Sequence, residues 1–189
     1  MPHIQNSAVD DAGDVELMFP GDRSPVSVGP NLRASGWRGG TFVQYVTGDQ
    51  DFTVEISDGN AAAGFLLFQS EDYELTLPYG DGPGSPQNFL AQQNRSPVGG
   101  NNVVTMVFSG VRAFFKVYET VALNGAGARA GGPITYNLND DLKVSENGLL
   151  CNDSDVNLAA AGVTNPQVVG TVSAVPSSSN NNRLGIDKS

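Results

Sequence analysis

The chain has a single cysteine, Cys151, and a single histidine, His3, among 189 residues. One thiol forms no intrachain disulfide, so a small secreted scaffold held by bridges is excluded. One histidine and one cysteine do not build a zinc centre. A Ser–His or Cys–His catalytic pair would have to recruit His3 from the N-terminal end, so nucleophilic catalysis has no natural base. Charge is also scarce: Asp, Glu, Lys and Arg make up 16% of the residues, against about 25% in ordinary domains. Ten residues are basic and twenty acidic, a net charge of −10. With no run of Lys or Arg, binding to nucleic acid by counterion release is not expected. Attraction to an anionic membrane is not expected either. No apolar stretch approaches the roughly 18 residues that cross a bilayer. The start, Met1-Pro2-His3-Ile4-Gln5-Asn6, lacks the basic and apolar regions of a secretory signal, so synthesis and folding in a cytoplasm are expected.

Glycine and proline are abundant instead, at 23 and 11 residues. That composition favours many turns and disfavours long helices. Residues 41–46 are rich in β-formers, and after a turn Phe52, Val54 and Ile56 alternate with Thr53, Glu55 and Ser57, which reads as a hairpin. Residues 65–69 and 73–77 read as short strands, and residues 79–102 as a long loop. Residues 103–108 and 111–119 read as two strands joined by a tight turn at Ser109-Gly110, the second strand central in its sheet. Asn147-Gly148 between apolar pairs is a strong hairpin signal. Residues 167–175 and 183–186 complete the strands. The expected fold is all-β, a sandwich or barrel of short antiparallel strands with an extended N-terminal arm. The arm covers residues 1–35, with short strands at 15–19 and 26–28 and prolines at 20, 25 and 30. A main β-domain covers 36–123, a Gly-rich linker 124–133, and a C-terminal β lobe, separate or part of the same domain, 134–189.

The motifs that suggest chemistry are incomplete. Asp153-x-Asp155-x-Asn157 opens like a calcium loop, but Leu158 stands where glycine is needed and Thr164 where the closing Glu belongs. The Asp49/Asp51 pair is explained by turn formation, as is Asp153/Asp155. Residues 125–130 match G-x-G-x-x-A, yet Gly131-Gly132-Pro133 follows where a helix should begin. Glu55, Glu74 and Glu119 are the candidates for a glycosidase carboxylate pair, although a strand glutamate is more often a solvated residue. Cys151 reads as a small buried hydrophobe. No catalytic residue, cofactor or metal is expected.

The C-terminal third carries a resemblance. Its segments are Asp140-Asp141-Leu142-Lys143-Val144-Ser145-Glu146-Asn147-Gly148, then Val168-Val169-Gly170-Thr171-Val172, then Leu184-Gly185-Ile186. They resemble the hairpin, following strand and terminal strand of tailed-phage capsid decoration, or cement, proteins. The match covers residues 136–186, and the remainder matches only in character. The resemblance implies a non-enzymatic protein on the capsid exterior of a virion, made in the host cytoplasm. Its partners would be the major capsid protein and copies of itself in a homotrimer or dimer. A carbohydrate-binding or adhesive β-sandwich module on a virion or cell surface is the alternative. Arg23, Arg33, Trp37, Arg38, Phe89 and Leu90 are the candidate interface residues, since Arg and aromatic side chains anchor interfaces. Trp37 could equally plug the domain's own core. On this reading the arm orders mainly against a neighbour.

Overall fold

The computed structural model describes residues 14–35, 37–48, 52–67 and 103–188. Nine strands occur among them: β1 (Val15–Val28), β2 (Phe42–Tyr45), β3 (Thr53–Ile56), β4 (Gly64–Leu66), β5 (Val103–Phe115), β6 (Asp141–Val144), β7 (Leu150–Cys151), β8 (Val168–Ala174) and β9 (Leu184–Lys188). Two six-residue helices accompany them, α1 (Pro30–Ser35) and α2 (Asp155–Ala160). The strands form one mixed sheet in the order β1-β3-β2-β4-β5-β9-β8-β6-β7, and β1 also pairs with β5. That extra pairing closes β1, β3, β2, β4 and β5 into a ring, and β9, β8, β6 and β7 extend from β5 as an open sheet. The all-β expectation holds, with the barrel and the open sheet sharing β5.

The barrel core contains Val26, Val28, Leu32, Trp37, Val43, Val54, Leu66, Val104 and Met106. The larger core beside it joins Phe42, Phe65 and Phe115 to Leu142, Leu150, Leu184 and Ile186. Period-two alternation explains the division. On β2, Phe42 enters one core and Val43 the other, and on β4 Phe65 and Leu66 divide in the same way. The C-terminal strands therefore bury their apolar face against barrel residues and are part of the same domain. The turn of the β6–β7 hairpin docks on the barrel as well, because the Phe42 amide donates to the Gly148 carbonyl at 2.8 Å.

The arm expected over residues 1–35 is corrected from residue 15 onward. β1 is a 14-residue strand paired with β5 from Val15↔Phe115 to Ser27↔Val103. Prolines 20 and 25 do not break it. On its other side only Ser27 and Val28 of β1 meet β3, and among the described residues no other strand pairs with β1 there. The turn expected at Ser109-Gly110 is also corrected, because β5 runs straight through it. Gly110 has φ +63° and Gly21 has φ +59°. They stand between the pairs Pro20↔Val111 and Asp22↔Ser109. Two left-handed glycines facing each other bend both strands without reversing either. The bend lets one end of the ribbon close the barrel while the other end carries β9.

The linker expected over residues 124–133 is a folded loop. Val121 bridges Pro133. The Ala122 and Gly131 amides donate to the carbonyls of Gly132 and Ala122 at 2.9 Å each. The hairpins expected around residues 47–51 and at Asn147-Gly148 are present as β2–β3 and β6–β7. α2 forms within the segment that opens like a calcium loop, and Ser154 caps it by accepting from the Asn157 amide. The strand expected at 73–77 and the loop at 79–102 lie outside the described residues.

Candidate functional site

Of the candidate interface residues, Arg23, Arg33, Trp37 and Arg38 lie among the described residues. Trp37 is 8% exposed and belongs to the barrel core, which corrects its interface reading. Arg38 lies on the surface and forks onto Asp14, Nε to Oδ2 at 2.8 Å and Nη2 to Oδ1 at 2.9 Å, with the Asp14 carboxylate buried beneath it. Arg23 is an exposed residue of β1 opposite Val107. Arg33 lies on α1. Phe89 and Leu90 lie outside the described residues, as do His3, Glu74, Asp49 and Asp51.

Glu55 and Glu119, the two described carboxylates of the three considered for hydrolysis, are held in structural bonds. Glu55 Oε1 accepts from the Asn31 amide at 3.1 Å and Oε2 from the Leu32 amide at 2.6 Å. It supplies, from β3, the acceptors that the open amides of the first turn of α1 need. Glu55→Ala is expected to cost about 0.5–2 kcal/mol, the range for lost helix caps. Equilibrium denaturation checks this, with Glu55→Gln losing less because one carbonyl acceptor remains.

Glu119 is part of a larger arrangement that sequence reasoning missed. Arg129, projecting from the 121–133 loop, meets three carboxylates. Its Nε and Nη2 each donate to Glu146 at 3.0 Å, its Nη1 donates to Asp153, and its Nε lies 3.5 Å from Glu119. Nη1 also donates to the Val121 carbonyl at 3.1 Å. Glu119 Oε1 further accepts from Ser145 Oγ at 2.7 Å and Asn147 Nδ2 at 3.1 Å. Burial works to discharge the guanidinium, but the bond to Glu146, the charge of Glu119 and the bond to Asp153 outweigh it and raise its pKa. The cluster ties the loop to the β6–β7 turn and to the segment before α2. The one sequence signal for it was a lone charge within Gly125-Ala126-Gly127-Ala128-Arg129-Ala130.

The calcium-like motif is resolved in the same way. Asp153 is bound to Arg129, and Asp155 accepts from Lys143 Nζ at 2.6 Å. Among the described residues no group of three or more His, Cys, Asp or Glu is placed to hold a metal. The G-x-G-x-x-A segment forms the Arg129 loop. In it, Asn124 Oδ1 accepts from the amides of Ala126 at 2.9 Å and Ala128 at 3.2 Å.

Cys151 is fully buried with Leu123, Leu158 and Val163. Burial pushes its thiol up from 9.0 to about 11. Burial also raises the Tyr136 hydroxyl, which donates to the Glu119 carbonyl at 2.5 Å. A pKa higher in the folded chain than in the unfolded one means that the folded state holds the proton more tightly. For Cys151 the associated stability is complete below pH 9 and is lost as pH rises toward 11, and for Tyr136 the fall begins only above pH 10. Each such proton contributes about 1.4 kcal/mol for every tenfold by which folding tightens its hold. Melting temperature is therefore expected to fall from about pH 9 upward through these groups, with a shallower fall in Cys151→Ala. A thiol reagent near neutral pH should label Cys151 only after unfolding.

The described surface has an aromatic feature at the tip of the β2–β3 hairpin. Phe52 is 67% exposed with φ +53°, and its ring meets the exposed Tyr45 edge-on at 6.3 Å between centroids. A bulky residue held in the left-handed region is unusual. Val46 lies beside Tyr45, also exposed.

No helix among the described residues is long and apolar enough to cross a membrane. No family model matches the chain, and no curated protein is similar to it in sequence.

Proposed function

We propose that this chain is a non-enzymatic virion structural protein that binds the outside of a phage capsid and cements neighbouring capsomers. The observation that carries the reading is the use to which the described polar side chains are put. Glu55 caps a helix, Glu119, Glu146 and Asp153 hold Arg129, and Asp155 holds Lys143. Each tie joins segments distant in sequence and stiffens the fold, as a subunit that resists shell expansion requires. The likeness of the C-terminal third to decoration proteins supports the same reading. The partners are the major capsid protein and further copies of this chain. Five of the ten basic residues, Arg38, Arg112, Arg129, Lys143 and Arg183, are already bound to carboxylates of the same chain. With a net charge of −10, the protein fits a basic patch on the shell.

A carbohydrate-binding or adhesive role is the second reading, favoured by the exposed Tyr45–Phe52 pair. Co-sedimentation with bare capsids separates the two. Saturable binding that weakens with added salt supports cementing. Failure to bind capsids, with retention on a glycan array that is lost in Phe52→Ser, would favour the adhesive reading.

A further inference from the structure

We infer that Asn124 is a site of self-modification, at which the folded chain promotes succinimide formation and hydrolysis to aspartate and isoaspartate. The chain has two Asn-Gly steps, Asn124-Gly125 and Asn147-Gly148. Glycine lacks the side chain that blocks attack by its own amide nitrogen on the preceding carboxamide, so both steps are intrinsically susceptible. The fold treats them in opposite ways.

At the second step the reacting groups are restrained. Asn147 Nδ2 donates to Glu119 at 3.1 Å and to Glu146 at 3.2 Å. The Gly148 amide, which would be the nucleophile, donates to the Ser145 carbonyl at 3.0 Å. Gly148 is buried, with the Phe42 carbonyl 2.8 Å from where a Cβ would stand. Closing a ring there would break these bonds and move the hairpin turn off β2.

At the first step the restraints become assistance. Gly125 is exposed, and nothing lies within 4 Å of its missing Cβ. Its amide has no partner among the described residues. Asn124 Oδ1 accepts from the amides of Ala126 and Ala128 at 2.9 and 3.2 Å. Negative charge develops on that oxygen when the Gly125 nitrogen attacks Cγ, and two amides already face it, as in an oxyanion hole. The balance is simple. The Gly125 nitrogen loses its proton to solvent base and forms the N–Cγ bond, and the Cγ–Nδ2 bond breaks to release ammonia. Water then opens the succinimide at either carbonyl, giving aspartate or isoaspartate. An aspartate keeps the acceptor for Ala126 and Ala128. An isoaspartate adds a methylene to the backbone inside a loop closed by the Asn124 amide to the Ala128 carbonyl and the Gly127 amide to the Asn124 carbonyl, each 2.9 Å. That lengthening loosens the loop carrying Arg129, so ageing at residue 124 weakens the tie to Glu119, Glu146 and Asp153.

The test is incubation of the full-length folded protein in mildly alkaline buffer, followed by peptide mapping with mass spectrometry and isoaspartate detection. Asn124 is expected to convert at least about tenfold faster than Asn147, a difference of about 1.4 kcal/mol in barrier. In denaturant the two rates should converge. Gly125→Ala, at a position with open space, should fold normally and slow conversion at Asn124. Conversion of Asn124 no faster than Asn147 in the folded chain would overturn the inference. Equal rates at Asn124 in the Gly125→Ala variant would overturn it as well.

Discussion

Phe115→Ala is expected to lower stability by about 3–5 kcal/mol, the range for truncating a buried phenylalanine. Phe115 is fully buried near the end of β5, where the barrel and the open sheet meet. Its ring lies 4.9 Å from Phe65 and 6.2 Å from Phe42, centroid to centroid. Gly40, with φ +88°, brings its backbone so close that a Cβ there would stand 2.6 Å from the Phe115 ring. Surroundings this tight are formed largely by backbone and by two other rings, and they cannot collapse far into the space a methyl leaves. The loss is a large fraction of the roughly 5–15 kcal/mol that holds a domain folded. Phe114 provides the control, because it is on the opposite face of the same strand and only half-buried. Phe114→Ala should cost less than half as much in the same denaturant titration. Equal losses would mean that the facing of β5 is wrong.

Arg129→Ala is expected to cost on the order of 3 kcal/mol, as for removal of one partner from a buried ion pair. The magnitude follows from what remains. Glu119 and Asp153 are 9% and 6% exposed, and without the guanidinium they would be left with each other's charge. Arg129→Lys should recover only part of the loss, since an ammonium does not fork onto Glu146 while reaching Asp153 and the Val121 carbonyl. Glu146 is the least buried of the three carboxylates, so Glu146→Gln should cost less than Arg129→Ala. Denaturant midpoints of the four proteins check the order. A neutral Arg129→Ala would show that the cluster is an exposed ion pair of little consequence.

What was legible in the sequence was local. The alternation of Phe52, Val54 and Ile56 marked β3, and Asn147-Gly148 marked the β6–β7 turn, where Gly148 takes a left-handed φ of +73°. The central place of the strand beginning at Val111 was legible too, since β5 pairs with strands on both sides. What failed depended on partners far along the chain. Pro20 and Pro25 looked like breakers because nothing local reveals the pairing of β1 with β5 along its length. Ser109-Gly110 looked like a reversal because its companion, Gly21, is almost ninety residues away. Trp37 was ambiguous for the same reason, since only ring closure by β1–β5 pairing creates the interior that it fills. The Arg129 cluster draws on residues 119, 129, 146 and 153, with no spacing that a motif could encode. The Ser154 cap of α2 was a readable signal, hidden by the likeness of Asp153-x-Asp155-x-Asn157 to a calcium loop.

The proposed role as a cement is tested most directly by the mechanical consequence for a shell. Bare capsids, alone and saturated with this protein, are heated while release of the packaged nucleic acid is followed. Cementing predicts that the decorated shells open at a higher temperature, and that the Arg129→Ala protein, where it still binds, gives a smaller increase. Shells that bind the protein to saturation yet open at the same temperature as bare ones would contradict the account.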